Sequence, residues 1–320
     1  MSFNRYNTED SVISSETVVR GLWPSDNVNL TSVSTSSTQA AASQFYLDVY
    51  NAGEVVFSIE YAHISGSGSA YFNSNVTSSS PTKVVYGQYR NLIYGSEEAT
   101  FQIGGTTVTQ FYVINVARSR YKESLHPGSL TLSLSGSSGF ISLTDNSNVL
   151  TTSQFIDSNR YFNIVSGSAG TPANTTIYGH MFPDLGLIVL NPGALTGFMT
   201  APGTSANTYE NNNAKLYTSI LGATTTSPSR PFRLQSSETI SSRFFFTRIK
   251  NSEYNYTSNP SIIDSKGNIL YTTLIDNPQT YITTVGLYND NNELLAVAKL
   301  SKPLVKDFTK EALIRIKLDY

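Results

Sequence analysis

The residues best suited to metal binding or acid–base chemistry in this sequence are its three histidines, His63, His126 and His180. Each lies more than 50 positions from the next, and none has a second ligand-type residue at the spacing that metal sites use. His126 stands directly before Pro127 and Gly128, a pair that favours a turn. We therefore expect histidines on the surface or in turns, and neither a metal site nor another cofactor.

Paired carboxylates are the second arrangement that could do chemistry, because glycoside hydrolases use two Asp or Glu side chains. Glu97 and Glu98 are the pair that stands out, but adjacent residues point to opposite faces of a strand, and in a loop they are usually solvated. The sequence has no cysteine, no Gly-x-Ser-x-Gly nucleophile motif and no Gly-rich loop that ends in Lys-Ser/Thr. We predict that the protein is not an enzyme, with a polysaccharide depolymerase acting through this pair as the alternative.

A short run of cations could contact an acidic partner. Arg118, Arg120 and Lys122 follow the apolar stretch 111–116, which is typical of a strand. If the strand continues, its alternation puts the three cations on one face as a small basic stripe. The other interpretation is a solvated strand end.

Composition narrows the class of protein. The 320 residues carry 21 basic and 23 acidic side chains, a formal net charge of −2, which disfavours binding to nucleic acid or to an anionic membrane. No stretch is apolar enough for membrane insertion, and residues 1–20 do not resemble a signal peptide. We therefore expect a protein made in the cytoplasm without a signal peptide.

Aromatic residues are abundant, with 20 Tyr, 16 Phe and a single Trp. Tyrosine suits both sheet packing and protein interfaces, so both uses stay open for the group in the N-terminal part of the chain. That group comprises Tyr46, Tyr50, Tyr61, Tyr86, Tyr89 and Tyr94. The residues selected as candidates for interaction are Trp23, Tyr89, Arg118, Arg120, Lys122 and Tyr288.

The elements that must position these residues are mostly strands. Apolar and polar residues alternate around Phe57, around Leu132 and in the last residues of the chain, around Ile316, and turn signals such as Asn191-Pro192-Gly193 separate such stretches. This pattern predicts an all-β protein of mainly antiparallel sandwiches or barrels in several domains, with at most a few short helices. Residues 209–221 are a candidate for one short helix, and residues 306–312 for a single turn.

Breaks in composition divide the chain into four parts. We predict an extended N-terminal arm over residues 1–43, which carries Trp23, and an N-terminal β domain over residues 44–135. A middle β-rich segment with long loops covers residues 136–229, and a C-terminal β domain with a hairpin covers residues 230–320. Stretches rich in Ser, Thr or Gly at 31–43, 65–82 and 222–231 are typical of linkers or long loops.

Residues 285–299 have the sequence Val-Gly-Leu-Tyr-Asn-Asp-Asn-Asn-Glu-Leu-Leu-Ala-Val-Ala-Lys, which predicts a β-hairpin with a polar loop. With the Leu-Ser-Lys-Pro that follows, this segment is similar to a hairpin of phage tail-fibre collar and baseplate-associated proteins. Residues 86–93 and 112–128 also resemble virion structural proteins of contractile-tailed phages of marine cyanobacteria. The resemblance covers about half of the chain and implies a sheet-built binding surface repeated by virion symmetry, with no catalytic residues.

The function expected from this resemblance is structural. The protein would be a virion component, either part of the tail baseplate or a connector that anchors fibres, and its partners would be other virion proteins in an oligomeric arrangement. The alternatives are a receptor- or glycan-binding component of the tail fibre and a head decoration protein. A host glycan therefore stays open as a partner.

Overall fold

The computed structural model describes residues 5–35, 45–70, 80–227, 229–257 and 259–319. The chain forms two compact units. We call Thr17–Glu238 the large unit, and Met1–Glu16 together with Thr239–Tyr320 the small unit.

Strands dominate both units, and the sheets are built from antiparallel pairs, which confirms the predicted all-β class. The strands are β1 Ser11–Gly21, β2 Asn29–Leu30, β3 Ser34–Thr35, β4 Leu47–Asn51, β5 Glu54–His63, β6 Gln102–Ile103, β7 Thr106–Thr107, β8 Gln110–Val116, β9 Ser124–Leu125, β10 Leu132–Gly136, β11 Gly139–Asp145, β12 Gln154–Ile156, β13 Asn159–Ser168, β14 Thr171–Pro172, β15 Gly179–Phe182, β16 Leu187–Leu190, β17 Phe232–Arg233, β18 Gln235–Ile249, β19 Thr280–Tyr288, β20 Leu294–Lys306 and β21 Ala312–Asp319. The helices are α1 Pro81–Tyr94, α2 Asn212–Thr224 and α3 Thr272–Asp276. In the described part of the chain, no helix is both long and apolar enough to span a membrane.

The large unit is organised by an 11-stranded sheet with the order β10-β11-β13-β15-β16-β8-β5-β4-β3, to which β12 and β14 add at β13. Alternate residues of its central strands belong to two separate cores: Tyr112 and Ile114 to one, Phe111 and Val113 to the other. Helix α2 contributes to the first core and α1 to the second. The central strands are therefore buried on both faces, which explains why β8 and β16 are apolar almost throughout.

In the small unit, β18 pairs with β21, and β19 pairs with β20 to form a hairpin. Its core consists of five buried residues, Ile249, Leu287, Ala312, Ile314 and Ile316, with half-buried side chains such as Val285 and Ala298 around them. The core residues of β21 alternate with exposed Leu313, Arg315 and Lys317. The predicted strand at the C-terminal end of the chain is thus confirmed.

The domain boundaries differ from those predicted. The expected boundary at 135/136 falls within β10, and β16 of the expected middle segment pairs with β8 of the N-terminal domain, Ile188 opposite Ile114. One sheet therefore joins both segments. The expected arm is extended over residues 11–21, which form β1, but it does not stay separate from the core, because the following Trp23 is buried; residues 1–4 and 36–43 lie outside the described part.

The helices differ as well. Residues 81–94, assigned by sequence to a linker and a β domain, form α1, because Val85, Tyr86, Tyr89 and Ile93 give it one apolar face. The predicted helix near 209–221 is present as α2, three residues further along the chain. In place of the helical turn expected at 306–312, β20 ends at Lys306, β21 begins at Ala312, and a non-helical turn joins them, in which the Lys310 N–H donates to the Asp307 carbonyl at 3.3 Å.

Candidate assembly surface

His63 and Ser65 make the contact that most resembles a nucleophile and its base. The Ser65 Oγ lies 2.9 Å from the His63 Nδ1, and burial lowers the pKa of the imidazole. The Ser65 backbone N–H also donates to the same nitrogen, at 3.2 Å. The imidazole therefore accepts two bonds from one residue and closes a local turn after β5.

A second polar cluster lies under α1. The carboxyl of Glu60, which is 9% exposed, has a raised pKa because of burial, and it bonds to the side chains of Tyr89 and Asn115. The Asn115 amide is 3.4 Å from the Tyr89 hydroxyl. These groups satisfy one another beneath the helix, so a substrate has no direct access to the carboxyl.

The other candidate groups are scattered. Burial lowers the pKa of His180 to about 4, and its ring packs 4.7 Å from that of Tyr161. The expectation of surface or turn histidines is wrong for His180, because β15 is buried along its whole length. Glu97 and Glu98 are exposed beyond α1. Among the described residues, no three His, Asp or Glu side chains lie close enough to hold a metal ion.

Two of the residues selected from the sequence belong to the core of the large unit. Trp23 is 2% exposed, donates through its indole N–H to the Phe232 carbonyl at 3.0 Å and contacts the rings of Phe57 and Phe232 edge-on. Tyr89 is 1% exposed and faces Glu60. Neither side chain can meet a partner in this conformation of the chain.

The predicted basic stripe does not form, because the backbone leaves the extended conformation after Val116 and residues 118–120 form a 3-10 turn. Arg118 donates to the carbonyls of Tyr121 and Lys122, while Arg120 turns back to β5 and pairs with Glu54 at 2.5 Å. The exposed Lys122 follows this turn. Strand alternation therefore does not apply to the three cations.

Tyr288, the last of the selected residues, lies in a different environment. It belongs to the small unit, which carries 16 of the 24 exposed large hydrophobic residues of the described chain but only 5 of its 52 buried ones. The exposed set of the small unit comprises Tyr6, Val12, Ile13, Tyr254, Tyr256, Leu270, Tyr271, Ile275, Tyr281, Tyr288, Leu294, Leu295, Val297, Leu304, Phe308 and Leu313. This unit therefore presents most of the apolar surface that monomers usually avoid.

The hairpin β19–β20 explains part of this exposure. Its inner residues, such as Val285 and Ala298, pair across the two strands and pack on the small core. On its outer side, Tyr288, Leu294, Leu295 and Val297 are 41%, 53%, 68% and 57% exposed. We call these four residues, with Gly286, the hairpin face. Both sides of the hairpin are apolar, and the outer side is the more exposed one.

The base of the hairpin holds a buried cation. Lys306 is 0% exposed, and its ammonium donates to the Asn251 carbonyl at 3.0 Å and to the Asn255 Oδ1 at 2.6 Å. The Thr280 hydroxyl donates to the Tyr254 carbonyl at 3.0 Å. These bonds fix the loop after β18 on the hairpin and determine where the exposed ring of Tyr254 lies.

Charged groups beside the hairpin base are paired. The Thr309 hydroxyl and the Lys310 ammonium hold the pKa of Asp307 at about 2, and Arg248 pairs with Glu311 at 2.7 Å.

In the large unit, an open groove of about 610 Å³ is lined by Phe140, Ile141, Ser142, Ser166, Gly167, Ser168, Thr171, Pro172 and Ala173. That lining contains no acid or base, and its polar side chains are serine and threonine hydroxyls.

A second pattern in the sequence, separate from strand alternation, could have indicated the hairpin face. Residues 294–298 are a continuous apolar run, which is typical of a strand covered on both sides, whereas β20 is covered on one.

Comparisons of the chain with protein-family models, with curated proteins and with solved structures find no match.

Proposed function

We propose that this protein is a structural subunit of a contractile-tailed phage virion, a baseplate component or a fibre-anchoring connector, which acts through protein–protein assembly. The observation that carries the proposal is the concentration of exposed large hydrophobic side chains on the small unit. In this function the large unit is the rigid body of the subunit, and the small unit provides the surface that neighbouring proteins cover.

The energetics support a partner for this surface. Fully burying a Leu, Val or Phe side chain contributes about 1.5–3 kcal/mol relative to leaving it in water. Covering Leu294, Leu295 and Val297 together therefore offsets a substantial part of the about 4–15 kcal/mol that association costs in lost freedom. A subunit that stays monomeric would leave this contribution unused.

The resemblance supports the kind of assembly. The hairpin that carries the exposed face is also the segment that is similar to tail-fibre collar and baseplate-associated proteins. The polar, weakly charged composition, with Ser, Thr and Asn making up 107 of 320 residues, suits a subunit that must stay soluble before it assembles. Its exposed tyrosines suit interfaces that are partly polar.

The test is to locate the chain in intact particles by cryo-electron microscopy combined with lysine cross-linking and mass spectrometry. We expect density at the tail end or at the fibre attachments, with cross-links to other virion proteins from Lys299 and Lys302 of the small unit. Lys83 and Lys122 of the large unit, which are also exposed, serve as internal controls and should give fewer. Absence of the chain from purified particles would overturn the proposal.

A second function has its own supporting observation. Tyr254, Tyr256, Tyr271 and Tyr281 of the small unit are 43%, 56%, 56% and 59% exposed, and exposed aromatic rings can stack on sugars. We propose glycan binding by a fibre component as the alternative. Saturable binding on a glycan array that is lost in Tyr271→Ser, but kept in Tyr209→Ser of the large unit, would favour it over assembly alone.

A further inference from the structure

The hairpin face is smooth because of a glycine. Gly286 pairs with Val297 across the hairpin, and a Cβ at this position would lie 2.8 Å from the Tyr288 ring and 3.3 Å from the Leu294 Cδ1. The tyrosine and leucine side chains therefore lie against the glycine backbone. A continuous apolar surface results, in which no side chain projects from position 286.

Charges are arranged in order along this surface. Asp290 and Glu293 lie in the loop at the tip, whereas Lys299 and Lys302 lie further along β20, and Lys299 is opposite Thr284. The alternation of β20 puts Lys299 on the same side as Val297, since Ala298 and Leu300 pack on the core. The surface is thus acidic at one end and basic towards the other.

None of these four charges forms an ion pair in the described part of the chain, where every ion pair of the small unit lies elsewhere; the Glu293 carboxylate accepts a hydrogen bond from the Asn289 amide of the same loop at 2.6 Å. Glu293 lies opposite Asn289 and Lys299 opposite Thr284, so the two charges are five residues apart along the hairpin, which is roughly 17 Å. That distance is too large for them to pair with each other. An acid and a base at the two ends of an apolar face are complementary to the same face turned by half a revolution.

We propose that the hairpin face binds the hairpin face of a second copy of this chain, with the two hairpins antiparallel about a two-fold axis close to Val297. In this arrangement Glu293 of each copy meets Lys299 of the other, because Glu293 lies opposite Asn289 and Lys299 opposite Thr284, and the midpoint between these two positions lies beside Gly286 and Val297. Val297 of each copy meets its counterpart close to the axis, beside the Tyr288 ring and the Leu294 side chain that lie over Gly286. The apolar residues on both sides become covered.

This inference deepens the proposed function and rests on it, since it makes a self-paired dimer the unit that enters the particle. It commits to a second copy because each charge finds its complement in the same sequence. A different virion protein on this face is the competing outcome of the test.

The test uses charge reversal in the full-length protein, with sedimentation equilibrium as the measurement. We expect the wild-type chain to dimerise, and we expect Glu293→Lys and Lys299→Glu each to weaken dimerisation roughly tenfold or more, because each places like charges opposite one another. Lys83→Glu on α1 makes the same charge change in the large unit and should have no effect. Circular dichroism checks that every variant is folded.

Mixing gives the decisive result. The Glu293→Lys chain has a lysine at both positions of the pair and the Lys299→Glu chain has a glutamate at both, so an equimolar mixture restores opposite charges at both contacts. We expect heterodimers in the mixture although each variant alone is largely monomeric, and we expect the double variant to dimerise again. The inference would be overturned if the wild-type chain stayed monomeric at roughly 1 mM, or if the mixture dimerised no more strongly than either variant alone.

The two proposals fail separately. A chain found in particles whose mixed variants stay monomeric would contradict the paired hairpins but not the virion function. A restored heterodimer from a chain that is absent from particles would contradict the virion function alone.

Discussion

The two units of this protein use similar strands in opposite ways. The large unit holds 47 of the 52 buried hydrophobic residues of the described chain and 8 of the 24 exposed large ones, while the small unit holds 5 and 16. The large unit covers its sheet on both faces with helices, so its apolar strands are buried within one chain. The small unit covers one side of its hairpin, which leaves the other side for a partner.

In these two units, strand pattern and burial are separate properties. Strand β8 and strand β20 are both apolar at consecutive positions, but Val113 is 0% and Val297 57% exposed. Helix α1 packs near the first, whereas the outer side of the second is exposed. Variants in the two units therefore test the assignment of stability to one and of assembly to the other.

The largest difference is expected for truncations of apolar side chains. Phe57 is 0% exposed and packs against Phe232 with ring centroids 5.4 Å apart, so Phe57→Ala should lower the free energy of unfolding by about 3–5 kcal/mol. Leu295→Ala in the hairpin face should change it by less than about 0.5 kcal/mol. Denaturant unfolding of both variants measures the difference, and similar losses would contradict the division of roles.

The next effect is a pH dependence that belongs to the large unit. The pKa of His180 is about 4 instead of 6.5 because burial disfavours the imidazolium. The unfolded chain binds this proton at higher pH than the folded chain does. The contribution of His180 to the free energy of unfolding is therefore complete above about pH 6.5 and is lost as the pH falls towards 4. The loss should reach roughly 3 kcal/mol.

The control is His180→Gln, measured by denaturant unfolding from pH 4 to pH 8. The pKa of Glu60 is raised, so its contribution to the free energy of unfolding decreases as the pH rises. This contribution is the same in both proteins. The difference between the two curves therefore isolates the histidine. Parallel curves would show that the imidazole stays accessible to protons in the folded state.

A smaller effect is expected for the buried cation of the small unit. Lys306→Met keeps a long, flexible side chain but removes both hydrogen bonds to the loop after β18, at a cost of about 2 kcal/mol. Amide hydrogen exchange of residues 250–257 should accelerate, whereas the exposed Lys302→Met leaves it unchanged. Unchanged exchange in both variants would mean that the loop is held without the ammonium.

The smallest effects concern ion pairs. The side chain of Arg120 is 16% exposed in its pair with Glu54, and that of Arg248 is 67% exposed in its pair with Glu311. We expect Arg120→Gln to lower stability by up to about 1 kcal/mol and Arg248→Gln to have nearly no effect, because water screens exposed pairs. Thermal unfolding compares them, and an equal loss would show that burial does not distinguish the two pairs.

Much of the fold could be predicted from the sequence because strand alternation and turn residues act locally. The period of two around Ile314 and Ile316 and the hairpin near residue 288 depend only on neighbouring residues. Helix α1 was missed although Val85, Tyr86, Tyr89 and Ile93 have helical spacing, because β-branched and aromatic residues also favour strands.

Local patterns in the sequence account for the class of fold, the hairpin and the strand at the C-terminal end. Long-range packing makes Trp23 and Tyr89 core residues, pairs Arg120 with Glu54, and leaves Leu295 and Val297 exposed. These features could not be read locally because burial depends on which distant elements pack together. A side chain has the same identity under a helix or on an open face, and only the packing of the chain distinguishes the two.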